Sequence, residues 1–289
     1  MRRSRIASLI AVGAISLALS GSTATAVAAS PRAAPPVGTQ LSELKGSDTV
    51  AGDYLGYSVA ISGTSAVVGA PGYAGHAGRA YVFTKTGAGW KQAAELKGSD
   101  TAAGDYFGYS VAISGTTAIV GAPGLARTYV FTKSRAGWKQ AAELKGSDTV
   151  VGDAFGDSVA ISGTSAVAGA DGHAKAAGRA YVFTKTGAGW KQAAELKGSD
   201  TVAGDYFGGS VAISGTTIVA GAPVFTKEAG QAYVFTNTAS GWKQAAELKG
   251  SGTVVGDGFG GSVAISGTTA VVGAPGHAKA AGRAYVFEA

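Results

Sequence analysis

Between residues 58 and 96 the chain falls into four short apolar runs separated by small polar turns: 58–62 (SVAIS), 66–70 (AVVGA), 79–84 (RAYVFT) and 90–96 (WKQAAEL). The runs are short and rich in β-branched and aromatic residues. No ten-residue window carries an apolar stripe at helical spacing, so each run is read as a strand. The link SGTS at 62–65 places Gly63 first of two central residues, which suits a type II′ hairpin turn. The first three runs are apolar on both faces, as expected of strands covered from both sides, and their Gly and Ala permit close approach. The fourth run differs. Trp90, Gln92, Ala94 and Leu96 share one face, and Lys91, Ala93, Glu95 and Lys97 share the other. A charged face suits an outer strand whose lysines discourage edge-to-edge pairing.

The whole pattern recurs. LKGS begins at Leu44, Leu96, Leu144, Leu196 and Leu248, with spacings of 52, 48, 52 and 52 residues. A period near fifty built of strands points to a propeller or a β-solenoid. The fifth unit stops at AYVFEA without its Trp strand, while residues 38–46 (GTQLSELKG) align with 90–98 (WKQAAELKG). The expectation is therefore an all-β, five-bladed β-propeller of four-stranded blades, a single domain over 38–289. Residues 38–46 would complete the last blade beside 284–287. An open solenoid needs polar caps at its ends, which the sequence does not show, and closure removes exposed faces between blades.

The first residues stand apart from this pattern. MRRSR is followed by an apolar run at 6–19 and by small residues offering A-x-A cleavage near Ala29. Residues 1–29 thus read as a secretory signal peptide and 30–37 as a short linker, which makes the mature protein secreted and extracellular. The Arg2-Arg3 pair leaves the twin-arginine route open beside the general one. Three of the 24 Lys+Arg and none of the 18 Asp+Glu lie in 1–29, leaving a mature net charge of +3. The lysines are spread evenly over the units, so nucleic acid is not an expected partner, and no later stretch is apolar enough to span a membrane. The absence of cysteine leaves stability to packing and removes thiol chemistry.

The recurring GD-x-[FL]-G-x-SVAISGT…GAP…YVF resembles the FG-GAP repeat of integrin α-subunit propellers and of secreted bacterial proteins. Its elements stand at Leu55-Gly56/Gly69-Ala70-Pro71, Phe107-Gly108/Gly121-Ala122-Pro123, Phe155-Gly156/Gly169-Ala170-Asp171, Phe207-Gly208/Gly221-Ala222-Pro223 and Phe259-Gly260/Gly273-Ala274-Pro275. Leu55 and Asp171 depart from the motif. Integrin propellers have seven blades, so the ring size here rests on counting units. The resemblance makes calcium a possible cofactor, bound in an Asp-rich loop between the first two strands. Here that connection is SGTS or SGTT and holds no carboxylate, whereas calcium takes six to eight oxygens. No cofactor is expected.

Several positions are candidates for chemistry. Asp53, Asp105, Asp153, Asp205 and Asp257 precede the FG pair in every unit, and Asp48, Asp100, Asp148 and Asp200 lie five residues earlier. They could form cation loops, but their recurrence favours turns in which Asp accepts backbone N–H groups. Trp90, Trp138, Trp190 and Trp242 could stack on sugars; alternation with Ala and Leu favours packing. His76, His173 and His277 lie in the variable loop after GAP, where a rim could contact a partner. A metal site from His76 and His277 is weighed against solvated surface histidines. The residue after FG also varies, as Tyr57, Tyr109, Asp157, Gly209 and Gly261. Ligand-binding candidates are therefore Tyr57, Tyr109, Asp157, His76, His173 and His277.

No H-E-x-x-H, G-x-S-x-G or P-loop motif is present. The leading expectation is a secreted, monomeric, non-enzymatic propeller that binds an extracellular glycan or protein, with weak equivalent sites gaining by multivalency. A hydrolase or lyase with a site in the central depression is the alternative. It would draw on the one irregular polar cluster, Asp157, Asp171 and His173. A structural envelope or surface protein is the third reading.

Overall fold

A computed structural model describes residues 36–224 and 229–289 of the chain. The expected signal peptide and most of the linker lie outside the described residues. Residues 41–289 form one compact unit, and 36–40 belong to a separate leading one.

Five antiparallel sheets follow one another along the larger unit. Blade 1 contains β1 (Val59–Ser62), β2 (Ser65–Ala70), β3 (Arg79–Thr86) and β4 (Gly89–Leu96). Blade 2 contains β5 (Val111–Ser114), β6 (Thr117–Ala122), β7 (Arg127–Ser134) and β8 (Gly137–Leu144). Blade 3 contains β9 (Val159–Ser162), β10 (Ser165–Ala170), β11 (Arg179–Thr186) and β12 (Gly189–Leu196). Blade 4 contains β13 (Ser210–Ser214), β14 (Thr217–Ala222), β15 (Gln231–Thr238) and β16 (Gly241–Leu248). Blade 5 contains β17 (Ser262–Ser266), β18 (Thr269–Ala274) and β19 (Arg283–Glu288). The first strands of successive blades lie side by side, β1 by β5, β5 by β9, β9 by β13 and β13 by β17. This is the arrangement of a β-propeller's inner strands.

The local expectations hold in detail. Ser62 pairs with Ser65 across a two-residue turn in which Gly63 has φ +55°, a conformation glycine adopts without strain. Along β4, exposed and covered residues alternate from Gly89 to Leu96 as the charge pattern implied. A bulge between Val82 and Phe83, where Ala93 is skipped, was not visible in the sequence.

Blade 5 corrects one expectation. It has three strands, and residues 38–46 form no strand. The physical reason lies in the leading segment itself. In blade 1, Trp90 anchors β4 by packing beside Phe83, and the aligned residue of the leading segment is Gly38, which has nothing to anchor with. Leu44 does take up its repeat position. It packs on Val68, Ala70, Tyr81 and Phe83, as Leu96 packs into the cluster of blade 2.

The joints between blades explain why the repeat is what it is. From blade 1, Val67 and Val82 meet Val111, Ile113, Ala118 and Val120 of blade 2 in one buried cluster. Equivalent clusters join blades 2 and 3, 3 and 4, and 4 and 5. Burying one valine is worth about 1.5–3 kcal/mol, so each joint is a substantial part of the fold's stability. The Phe of FG sits in the joint, fully buried, with its ring 5.5 Å from Tyr129 in the case of Phe107. The Gly of FG turns its carbonyl back onto the preceding blade. Ser58 Oγ donates to Gly108 O (2.8 Å), Ser110 to Gly156 (2.7 Å), Ser158 to Gly208 (2.6 Å) and Ser210 to Gly260 (2.7 Å). The Gly of GAP lies directly against that carbonyl. A Cβ on Gly121 would come within 1.9 Å of Gly156 O, so no other residue fits.

Candidate functional site

The repeated aspartates are absorbed by the scaffold. Asp53 Oδ2 accepts the amide of Val50 (2.7 Å), and Asp105, Asp153, Asp205 and Asp257 each close the same three-residue turn. The amide of Val254 in that turn, more than any other contact, holds the Asp257 carboxyl below its usual range. The earlier set pairs with tyrosines: Asp48 with Tyr81 (2.7 Å), Asp100 with Tyr129 (2.6 Å), Asp148 with Tyr181 (2.7 Å) and Asp200 with Tyr233 (2.7 Å). Burial, then these bonds, push the four phenols far above the usual tyrosine range.

Two of the three histidines are held in the same way. His173 Nδ1 lies 2.9 Å from Asp153 and its Nε2 3.5 Å from Asp148, and His277 Nδ1 lies 2.7 Å from Asp257. His76 sits at another offset and packs on Tyr106, ring centroids 4.9 Å apart. The structure therefore separates the cluster expected for an enzyme. Asp157 and Asp171 come together, and His173 is occupied elsewhere. Among the described residues, no three or more His, Cys, Asp or Glu side chains gather in a way that could hold a metal ion.

The column after FG behaves differently. Tyr57 and Tyr109 of neighbouring blades lie with ring centroids 4.9 Å apart, tilted by 45°. The bond with Tyr57, followed by burial, pushes the Tyr109 phenol up to about 12. On its other side Tyr109 faces the cavity that also holds Asp157 and Asp171. Burial, and next the neighbouring Asp171, push the Asp157 carboxyl well above the usual range. Burial likewise raises Asp171. Asp157 Oδ1 is enclosed without a hydrogen-bond donor among the described protein atoms. Two neighbouring carboxyls in a poorly solvated site favour holding a proton, because both cannot ionise there without cost.

These side chains line a cavity of about 490 Å³ between blades 2 and 3, with Tyr106, Pro123 and Ala154 among its walls. The same place between blades 1 and 2 holds only about 180 Å³, lined by Tyr54, Tyr57, Pro71, His76, Tyr106 and Tyr109. Two sequence differences account for the contrast. Ala154 replaces the tyrosine that blade 2 has as Tyr106. The blade 2 loop GLAR is also four residues shorter than GYAGHAGR, so nothing stands where His76 narrows the smaller cavity. The 48-residue spacing between Leu96 and Leu144 is the trace of that shortening.

The residue before FG carries a feature that the sequence pattern does not announce. Tyr54, Tyr106, Ala154 and Tyr206 all have left-handed backbone, with φ between +56° and +57°. That conformation costs a residue with a Cβ about 1–2 kcal/mol, and only blade 5 has glycine there, Gly258. The tyrosines are exposed, so burial does not offset this cost. Their column, Tyr, Tyr, Ala, Tyr, Gly, varies as much as the one after FG, and that variation was the available signal.

A model described as the FG-GAP repeat matches the chain five times, over residues 39–83, 90–134, 138–183, 190–235 and 242–287. No curated protein sequence matches. Four of the matches end at the Phe of the YVF strand and the second at Ser134, and the first begins in the leading segment at residue 39. With matches over most of its length and the FG and GAP glycines in contact at every joint, the chain belongs to the FG-GAP repeat family.

Proposed function

We propose that the protein is exported and binds an extracellular glycan in the cavity between blades 2 and 3, without transforming it. FG-GAP repeats form propeller-type domains suited to binding and interaction. No helix among the described residues is long and apolar enough to cross a membrane, and residues 1–29 have the pattern of an export signal. The observation that carries the reading is the cavity wall itself, where Tyr106, an exposed tyrosine on left-handed backbone, stands with Tyr109, Asp157 and Asp171. Strain retained beside a pocket, with no burial to offset it, is a mark of function. Tyrosine faces suit sugar rings, and a carboxyl pair holding a proton can both donate to and accept from hydroxyls. The cavity volume falls within the range of about 300–1,000 Å³ usual for small-molecule sites.

The hydrolase reading draws on the same pair, since two carboxyls holding a proton can give and take it in turn. Glycoside hydrolysis, however, needs carboxyls at least about 5 Å apart to admit the scissile bond. Here the two carboxyls act on each other directly, and the cavity wall brings no third one. Binding is tested on a glycan array with the mature protein and with Ala154→Tyr, which restores the side chain of three other blades and fills the cavity. Binding lost in the variant supports the proposal. A silent array together with turnover of a polysaccharide overturns it.

A further inference from the structure

The four internal joints are one interface used repeatedly, and among the described residues blade 1, the head, and blade 5, the tail, each expose one half of it. At the head, Val59 and Ile61 are 69% and 67% exposed, whereas their counterparts Val111 and Ile113 in blade 2 are each 8% exposed. At the tail, Val286 is 69% exposed and Val271 38%, whereas Val82 and Val67 of blade 1 are fully buried. The polar half-contacts match as well. Gly56 is the counterpart of Gly108, Gly156, Gly208 and Gly260, whose carbonyls accept Ser58, Ser110, Ser158 and Ser210 at the internal joints, and Ser262 of blade 5 is the serine that meets no such carbonyl among the described residues. At the far end of the first strands, Ser62 Oγ accepts the amide of Gly115 (3.0 Å), and the same bond joins Ser214 to Gly267 (3.1 Å). Among the described residues, Gly63 N–H at the head and Ser266 Oγ at the tail are the halves of that pair without a counterpart.

Gly273 completes the set. Its counterpart Gly121 would place a Cβ 1.9 Å from the carbonyl of the next blade, yet a Cβ on Gly273 meets only the movable hydroxyl of Ser262, at 2.4 Å. The tail thus keeps a glycine whose close approach is used at every internal joint and by nothing within blade 5. Leu44 already sits on the head face in the place Leu96 takes at an internal joint, and Leu55 stands there in place of the joint phenylalanine.

We infer that the blade 5 face of one molecule docks on the blade 1 face of a second copy of this chain, head to tail, through the same contacts as the internal joints. The occupant is identified by continuity with the internal interface. Every residue of one half, Val271, Val286, Ser262, Ser266 and Gly273, has its partner in the other half and in that order. Such heterologous contacts build chains or rings of molecules. They go beyond the binding reading and would multiply its cavities.

The test is sedimentation velocity on the full exported chain over a hundredfold range of concentration. Assembly that grows with concentration is expected. Gly273→Val closes the tail and a Val59→Lys/Ile61→Lys double variant spoils the head, and each alone should sediment as a monomer. Mixed in equal amounts, they retain one intact head and one intact tail and should form dimers and nothing larger. Circular dichroism melts of both variants within a few degrees of the parent keep the result separate from misfolding. A single monomer at every concentration, or assembly indifferent to both variants, overturns the inference.

Discussion

Ala154, Phe155, Gly156 and Asp157 are four consecutive residues with two opposite jobs. The inner two build the joint between blades 2 and 3: Phe155 is fully buried, with its ring 5.6 Å from Tyr181, and the carbonyl of Gly156 receives Ser110. The outer two shape the cavity beside it. The inner pair is Phe-Gly in four of the five blades, while the flanking positions range over Tyr, Ala, Gly and Asp. A scaffold fixed this tightly leaves its immediate neighbours free to change, because their side chains do not enter the joint.

The comparison can be broken most directly at Phe155. Phe155→Ala should lower unfolding free energy by about 3–5 kcal/mol in urea melts, the usual loss for a buried aromatic. A loss under about 1 kcal/mol would mean that the joint is not where stability resides. Next in size, Tyr181→Phe removes the bond to Asp148 and should cost about 1 kcal/mol by the same assay. Tyr285→Phe in blade 5, where the phenol's one partner among the described residues is Ser251 O at 3.3 Å, should fall within about 0.5 kcal/mol of the parent.

On the cavity side the signs reverse. Burial raises the folded pKa of the Asp157–Asp171 pair above its unfolded value, so folding favours the protonated pair. The stability linked to that proton is complete below the unfolded carboxylate range and is lost as pH climbs through the folded value. Asp157→Asn removes the penalty, and its Tm should exceed the parent's by about 2–4 °C at pH 7, the effect of about 1 kcal/mol in a domain of this size. The advantage should vanish in scans below pH 4. The smallest stability effect belongs to Ala154→Tyr, within about 0.5 kcal/mol, since three blades already hold tyrosine at that φ. Its calorimetric trace should overlay the parent's even as the cavity fills.

The strands, the SGT turns and the outward charge of the fourth strand were legible because they follow from alternation and glycine placement within one unit. The closing strand at 38–46 was not: the alignment of its register hid the loss of the anchoring tryptophan at Gly38. The candidate column Tyr57, Tyr109 and Asp157 was legible as variation, and the tyrosines do meet. That Asp171 joins Asp157 while His173 turns to Asp153 was not readable, since both outcomes depend on distances across turns that spacing does not encode. The left-handed tyrosines were missed because the expected turn chemistry assigns such backbone to glycine or asparagine.

One identical joint throughout also bears on how such a gene can change. Excising or duplicating any internal unit in register would bring together two surfaces that already fit, with the same serine, the same glycine pair and the same valines. Copy number can therefore drift by recombination between near-identical segments without passing through a misassembled intermediate, and each event adds or removes one pocket wall whose outer residues are then free to diverge.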